Sequence, residues 1–245
     1  MGYAEIVENP FYVRPARRVN SYAAAKAKRR GGAQMIEVDF EKVDRRFMIY
    51  GETLAAFLIL QEWDPMVKFF YMGEGKWPVT EADPALDQSA PVISKLVTDA
   101  EIWTTCCTEL PSTKRGTRRV GTRELEAKNN GAVHHCFTQA DGIAQRRRLE
   151  NYVQMNAWLH RVPRERFDCR FETTVIRDAL RVHQTTTLDY LLRVEGVSNP
   201  KMHGTVARLL HSGDLEAVVS LDRQVFGQVS HVRWAKGSGR PDSDR

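Results

Sequence analysis

Four residues have the types and spacing that metal-dependent hydrolysis of a phosphodiester needs. Glu126 and Lys128 are separated by one residue in "ELEAKNN", so on a β-strand both would project to the same face. Asp99 would face them from a neighbouring strand, and Glu52 would add a carboxylate from a helix. Carboxylate oxygens hold divalent cations, and a lysine beside them can orient water and stabilise the charge that grows on phosphorus. The alternative is an exposed strand face with alternating charge, which is common in proteins.

Hydrophobic periodicity predicts the elements that would position these residues. "ETLAAFLILQEW" is apolar at helical spacing and stops before "DP", and "MVKFFYMGEGKW" predicts a strand that leads to a turn. "VTDAEIWTTCCTEL" and "RRVGTRELEAKN" are predicted as strands and as hairpin partners joined by "PSTKRGT". "DGIAQRRRLENYVQMNAWLHRV" then predicts an amphipathic helix, and "RFDCRFET" a short strand. Together these elements predict an α/β domain built on a mixed central sheet.

The last 75 or so residues are expected to form a separate small domain. "TTTLDYLLRVEG" predicts a short capped helix, and a second helix is predicted with Asn199 as N-cap, Pro200 as its first helical residue and Gly213 as its stop. Two short helices joined by a tight turn indicate a helix-turn-helix, and the strand-like segments "LEAVVSL" and "QVFGQVSHVRW" would complete a winged-helix arrangement. The same pattern also fits any small helical domain with a hairpin.

Basic residues are concentrated in blocks, although the formal net charge is only +5. The segments 14–30 and 114–123 carry seven and five basic residues, respectively, and no acidic one. Such blocks favour a polyanionic partner, whereas a single block is as often an ordinary solvated surface. The candidate DNA-backbone contacts are Arg17, Arg18, Lys28, Arg29, Arg30, Lys114, Arg115, Arg118, Arg119, Arg146, Arg147 and Arg148.

In the order of these elements the chain resembles the TnsA-type endonucleases of heteromeric cut-and-paste transposons, which have the PD-(D/E)xK restriction-like nuclease fold. The matching stretches are "ETLAAFLILQEWDPMVKFF", "VTDAEIW", "ELEAKNN" and "RRRLENYVQMNAWLHRV". The resemblance implies that Asp99 and Glu126 bind a divalent metal, Mg²⁺ with Mn²⁺ as a substitute, and that Glu52 is the helix carboxylate of the same metal site. It further implies that Lys128 positions or activates the attacking water.

The same resemblance implies a function and a set of partners. The chain would be a Mg²⁺-dependent endodeoxyribonuclease that cleaves double-stranded DNA at the 5′ ends of a transposon. It would act beside a DDE-type transposase that cuts the 3′ ends, and an AAA+ ATPase regulator would dock on its C-terminal part. Two alternatives remain open: a stand-alone restriction-type or repair nuclease, and a non-catalytic DNA-binding adaptor.

The expected organisation is a basic arm over residues 1–35, a nuclease domain over 36–172, a helical or winged-helix-like domain over 173–235 and a disordered tail over 236–245. No sequence window approaches the length of apolar residues that a membrane span needs, which predicts a cytoplasmic bacterial protein without a membrane partner.

Four cysteines show no disulfide-framework spacing. A zinc site of His134, His135 and Cys136 with Cys106 or Cys107 is an alternative that lacks the paired C-x-x-C spacing.

Overall fold

A computed structural model describes residues 35–43, 45–72, 91–110, 114–160 and 168–236. These residues form a mixed α/β protein of two compact units, divided between Ala144 and Gln145. The division lies closer to the N-terminus than the expected boundary after residue 172. The basic arm over 1–35 falls outside the described residues except for its last position, and the tail over 236–245 does so except for its first. No helix in the described part is long and apolar enough to cross a membrane.

The first unit begins with an antiparallel hairpin of β1 (Met35–Phe40) and β2 (Arg45–Tyr50), followed by helix α1 (Glu52–Trp63). The predicted bounds of α1 are confirmed. Its side chains are buried over most of its circumference, which explains why the stretch is apolar almost throughout. Glu62 is fully buried, and its carboxylate accepts hydrogen bonds from the backbone N–H groups of Glu41 and Lys42 at 2.8 and 3.2 Å. This carboxylate therefore fixes the β1–β2 turn to the C-terminal end of α1.

A four-stranded mixed sheet forms the centre of this unit. Its strands are β3 (Val67–Met72), β4 (Val92–Leu96), β5 (Glu101–Cys107) and β6 (Val133–Thr138), in that order. The first two pairings are antiparallel, and β5 and β6 are parallel. Parallel neighbours need a crossover, and helix α2 (Lys114–Asn129) supplies it. The strand predicted at "MVKFFYM" is confirmed, whereas β4 was not predicted as a separate strand.

Helices cover both faces of the sheet. Phe57 of α1 packs on Phe137, with ring centroids 5.1 Å apart, while Arg123 of α2 bonds to Thr105. Phe137 is paired with Cys106, so Phe137 and Thr105 project to opposite faces. A short helix, α3 (Gln139–Ala144), follows β6 and contacts α1.

The predicted strand "RRVGTRELEAKN" is wrong, because the whole segment belongs to helix α2. It was therefore also wrong to pair it with β5 as a hairpin. Arg123 and Ala127 are buried one turn apart, whereas the residues between them at 124 and 125 are exposed, which is the burial pattern of a helix. The segment is rich in Arg, Glu, Leu, Ala and Lys, which are strong helix formers, and it has few β-branched or aromatic residues. The charges in this segment alternate with the two-residue period of a strand, which is why a strand was predicted.

Two other segments also differ from prediction. No strand was predicted at "VHHCFT", which forms β6. "RFDCRFET", predicted as a strand, instead runs into a helix that begins at Arg170.

The described residues of the second unit form four helices: α4 (Arg146–Leu159), α5 (Arg170–His183), α6 (Leu188–Leu192) and α7 (Asn199–His211). Three short strands, β7 (Thr186–Thr187), β8 (Leu215–Ala217) and β9 (His231–Trp234), form an antiparallel sheet in the order β7-β9-β8. The predicted helices α4, α6 and α7 are confirmed in type. The amphipathic helix predicted over residues 141–162 is divided at Gln145 into α3 and α4.

Local capping explains where the short helices begin and end. The Thr187 side chain accepts a hydrogen bond from the Tyr190 N–H at 3.2 Å and so caps α6. The N-cap of α7 is Ser198, one residue before the predicted Asn199, so Pro200 is the second helical residue and not the first. Gly213 follows the last turn with φ 79°, a conformation that glycine adopts without strain.

Candidate functional site

The structure places the predicted metal-site residues on three separate elements. Glu52 is the exposed first residue of α1, and Asp99 lies in the turn between β4 and β5. Glu126 and Lys128 are on α2, where two positions correspond to a rotation of about 200°, so they project in nearly opposite directions. Glu126 and Lys128 therefore do not project to the same face, as they would on a strand.

Asp99 has a structural role in its turn. Its φ of 65° is in the left-handed region, which Asp tolerates better than most residues, and its N–H donates to the Leu96 carbonyl at 2.9 Å. The Asp99 side chain is 73% exposed, and its Oδ1 lies 3.8 Å from Nζ of Lys68. The backbone of Asp99 thus forms the hairpin turn, while its side chain is exposed.

Glu52 is held away from Asp99 by the length of α1. The Val97 N–H donates to the Met66 carbonyl at 2.9 Å, so the chain just after the C-terminal end of α1 lies beside the Asp99 turn. Glu52 is at the other end of α1, about 17 Å along the axis at 1.5 Å per residue. Among the described residues, no three His, Cys, Asp or Glu side chains form a group that could hold a metal ion.

The facing positions of β4 and β5 do not supply a substitute for this site. Val92 pairs with Thr104, and Ser94 pairs with Ile102, so the middle of this strand pair carries no carboxylate. The charged pair at the strand ends is Lys95 and Glu101, whose Nζ and Oε1 atoms are 3.5 Å apart. The described residues therefore do not fit the Mg²⁺ ion that the resemblance implies.

A polar cluster that sequence reasoning missed lies between α2 and the sheet. Arg123 is only 7% exposed, and its Nη1 donates to Oγ1 of Thr105 at 2.9 Å. The same hydroxyl is 3.1 Å from Nε2 of His134. Cys107 and Cys136 extend this cluster along β5 and β6. The sequence places Arg123 in a basic surface. The apolar residue Ala127, one helical turn later, indicates the opposite, and both residues are buried.

This environment changes the pKa of two groups. Burial, and then the positive charge of Arg123 and the neighbouring His135, lower the pKa of His134 from 6.5 to about 4. A hydrogen bond from Cys107 is the largest cause that lowers the pKa of Cys136 from 9.0 to about 7, and Arg123 acts in the same direction against the opposing effect of burial. The cluster thus holds a neutral imidazole and favours a thiolate.

Helix α2 carries four of the residues predicted to contact DNA, and the structure describes the side chain of one of them, Arg118. The helix begins at Lys114 and includes Arg115, Arg118 and Arg119. The Arg118 side chain is exposed, as are Thr122 one turn later and Gly121 between them. Arg123, by contrast, points toward the sheet, so Arg118 and Arg123 lie on different sides of α2.

The arginine triplet at the start of α4 is engaged within its own unit. Arg146 Nε and Arg147 Nη1 contact the two carboxylate oxygens of Glu150 at 2.9 and 2.6 Å. Arg148 Nε donates to the Tyr152 hydroxyl at 2.9 Å. Arg146 still exposes 79% of its side chain, so its charge remains open to solvent. Arg17, Arg18, Lys28, Arg29 and Arg30 lie outside the described residues.

Comparison with known proteins finds no family model that matches this chain and no matching curated protein.

Proposed function

We propose that this chain is a double-stranded-DNA-binding subunit of a TnsA-like transposition system, in which it binds transposon ends. The observation that carries the proposal is the outer surface of α2, where Arg118 is exposed in a run of basic residues while the opposite side of the helix packs on β6. A rigid basic helix on a sheet suits a DNA backbone, because several phosphates can be neutralised without ordering a loop. The DDE-type transposase and AAA+ ATPase regulator are its proposed partners.

Helix α2, and not α7, is the proposed DNA-contacting helix. In a helix-turn-helix reading of the second unit, α6 and α7 would be the two helices and α7 would enter the major groove. However, six consecutive residues of α7, Met202–Ala207, are buried, and they cover every side of the helix. The helix contacts α4, α5, α6 and β8. The strands β8 and β9 that follow α7 support the winged-helix assignment. The buried middle of α7, however, has a structural role.

Binding to a fluorescent duplex carrying the transposon end tests this function. A variant with alanine at Lys114, Arg115, Arg118 and Arg119 is expected to bind at least about tenfold more weakly at physiological salt, because phosphate contacts dominate affinity. The matched control has alanine at four exposed basic positions of the second unit: Arg170, Arg177, Arg181 and Arg193. Equal losses in both variants would show that net charge, and not the α2 surface, determines binding.

The second candidate is the Mg²⁺-dependent endonuclease, within the restriction-like fold, that cleaves at the transposon 5′ ends. The mixed sheet with helices on both faces favours it. The positions of Glu52, Asp99 and Glu126 do not, so no reaction step is assigned to a metal ion. The same holds for a stand-alone restriction-type or repair nuclease: the mixed sheet favours it, and the positions of these three carboxylates do not.

A cleavage assay separates the two candidates. Purified protein, its transposase and Mg²⁺ or Mn²⁺ are incubated with labelled transposon ends, and the 5′-end cuts are quantified for the wild type, Asp99→Ala and Lys128→Ala. A DNA-binding subunit predicts that neither substitution changes the cuts. Loss of the 5′ cut in both variants, with DNA affinity retained, would establish the endonuclease instead.

A further inference from the structure

Cys107 and Cys136 lie on neighbouring strands and on the same face of the sheet. The parallel register pairs Thr105 with Cys136 and Cys107 with Thr138, so the two cysteines are diagonal neighbours. The Cys107 sulfur reaches toward β6, where it is 3.8 Å from the carbonyl oxygen of Phe137, the residue after Cys136. The two thiols are close enough for Cys107 to be hydrogen-bonded to Cys136.

The two thiols differ in their access to solvent. Cys107 is completely buried, whereas Cys136 is partly exposed. Buried Arg123 of α2 adds a positive charge that favours the Cys136 thiolate, and Glu124 opposes it. A partly exposed thiol in an electropositive environment, next to a second thiol, is the arrangement of a cysteine that reacts with oxidants and is then resolved by its neighbour.

We propose that Cys136 and Cys107 form a peroxide-sensitive thiol pair. The Cys136 thiolate attacks one oxygen of a hydroperoxide, the O–O bond breaks, and a sulfenic acid and hydroxide (or alkoxide) form. The Cys107 sulfur then attacks the Cys136 sulfur, the S–O bond breaks, and a disulfide and water are produced as the Cys107 proton leaves with the hydroxyl group. A dithiol reductant reverses the change by thiol–disulfide exchange.

The fold separates this pair from the other cysteines. Cys106 is paired with Phe137 and projects to the opposite face of the sheet, where it is fully buried. Cys169 belongs to the second unit and is partly exposed, as Cys136 is. Cys169 therefore serves as an internal control, because it is partly exposed but lies outside the cluster around Cys136.

Oxidation of the reduced, folded wild-type chain by hydrogen peroxide tests the pair. Dimedone traps sulfenic acid, and peptide mass spectrometry follows each cysteine over time. Cys136 is expected to react about tenfold faster than Cys169, and without dimedone the product is a disulfide that joins the Cys107 and Cys136 peptides. Similar rates at the two cysteines would overturn the proposal, and so would a product without this disulfide.

Two substitutions assign the roles within the pair. Cys107→Ser is expected to leave the Cys136 sulfenic acid without its resolving thiol, so dimedone labelling of Cys136 increases. Cys136→Ser is expected to protect Cys107 from oxidation, while Cys169→Ser changes neither. Circular dichroism verifies that each variant is folded. Oxidation of Cys107 at the wild-type rate in Cys136→Ser would show that the two thiols react independently.

Discussion

At the scale of single residues, His134 connects the polar cluster to the pH dependence of folding. Its pKa is about 4 in the folded protein and 6.5 in an unperturbed imidazole, so between these values the unfolded chain binds more protons. The stability associated with the neutral ring is complete above pH 6.5 and is lost as the pH falls from 6.5 toward 4. The ring is partly exposed, so solvent screens part of this effect.

His134→Gln is therefore expected to make folding less sensitive to acid. Between pH 6.5 and 4, the unfolding free energy of the variant should fall by about 1 kcal/mol less than that of the wild type. Urea denaturation at both pH values measures this difference. His231→Gln, at an exposed position of the second unit, is the matched control. Parallel curves for the wild type and His134→Gln would contradict the assignment of a buried neutral imidazole.

Arg123 and Arg118 allow a comparison of two arginines on the same helix. Arg123→Ala removes a buried guanidinium that donates to Thr105, and it is expected to lower the unfolding free energy by about 2 kcal/mol. Arg118→Ala changes an exposed side chain and should stay within about 0.5 kcal/mol of the wild type. Urea unfolding of both variants measures this, and an equal effect would mean that α2 is oriented differently on the sheet.

At the scale of elements, α2 is the segment on which the interpretation of the site depends. Gly121 lies inside this helix, and a β-carbon added there would meet no atom within 4 Å. Gly121→Ala is therefore expected to raise the unfolding free energy by about 0.5–1 kcal/mol, because glycine is a poor helix former. Thermal unfolding followed by circular dichroism measures the change.

Gly131, two residues after α2, gives the opposite expectation. Its φ of 72° is unfavourable for any residue with a β-carbon, so Gly131→Ala should destabilise the protein by about 1 kcal/mol. The pair of glycines thus reports both the body and the end of the helix. Destabilisation by Gly121→Ala would favour the strand that was first predicted for "RRVGTRELEAKN".

Hydrophobic pattern and capping residues explain which elements could be predicted. The bounds of α1 followed from an apolar run that stops before Asp64 and Pro65, and α6 followed from its Thr187 cap. Strand β6 was missed because its first half alternates between exposed and partly buried residues and contains two histidines. Helix α2 was misjudged because the alternating charges in its second half have the period of a strand, although most of its residues are strong helix formers. The predicted same-face pairing of Glu126 and Lys128 depended on a strand at this position, so it was wrong as well.

At the scale of the whole molecule, the two units carry different parts of the proposed function. The first presents the exposed side chain of Arg118 on helix α2. In the second, Asn151 of α4 holds the segment before β9: its Nδ2 donates to the Leu221 and Gln224 carbonyls at 2.8 Å, and its Oδ1 accepts from the Phe226 N–H at 2.8 Å. This segment and α7 both pack on Trp158 of α4, through Phe226 and His203. The second unit thus has a core of its own.

The salt dependence of DNA binding tests the central claim most directly. Each phosphate contact contributes about 0.9 to the slope of log K against log salt concentration for duplex DNA. Alanine at Lys114, Arg115, Arg118 and Arg119 is therefore predicted to reduce the magnitude of the wild-type slope by about 2 to 4, whereas the variant with alanine at Arg170, Arg177, Arg181 and Arg193 keeps the wild-type slope. An unchanged slope in the α2 variant, or a wild-type chain without affinity for duplex DNA, would contradict the account.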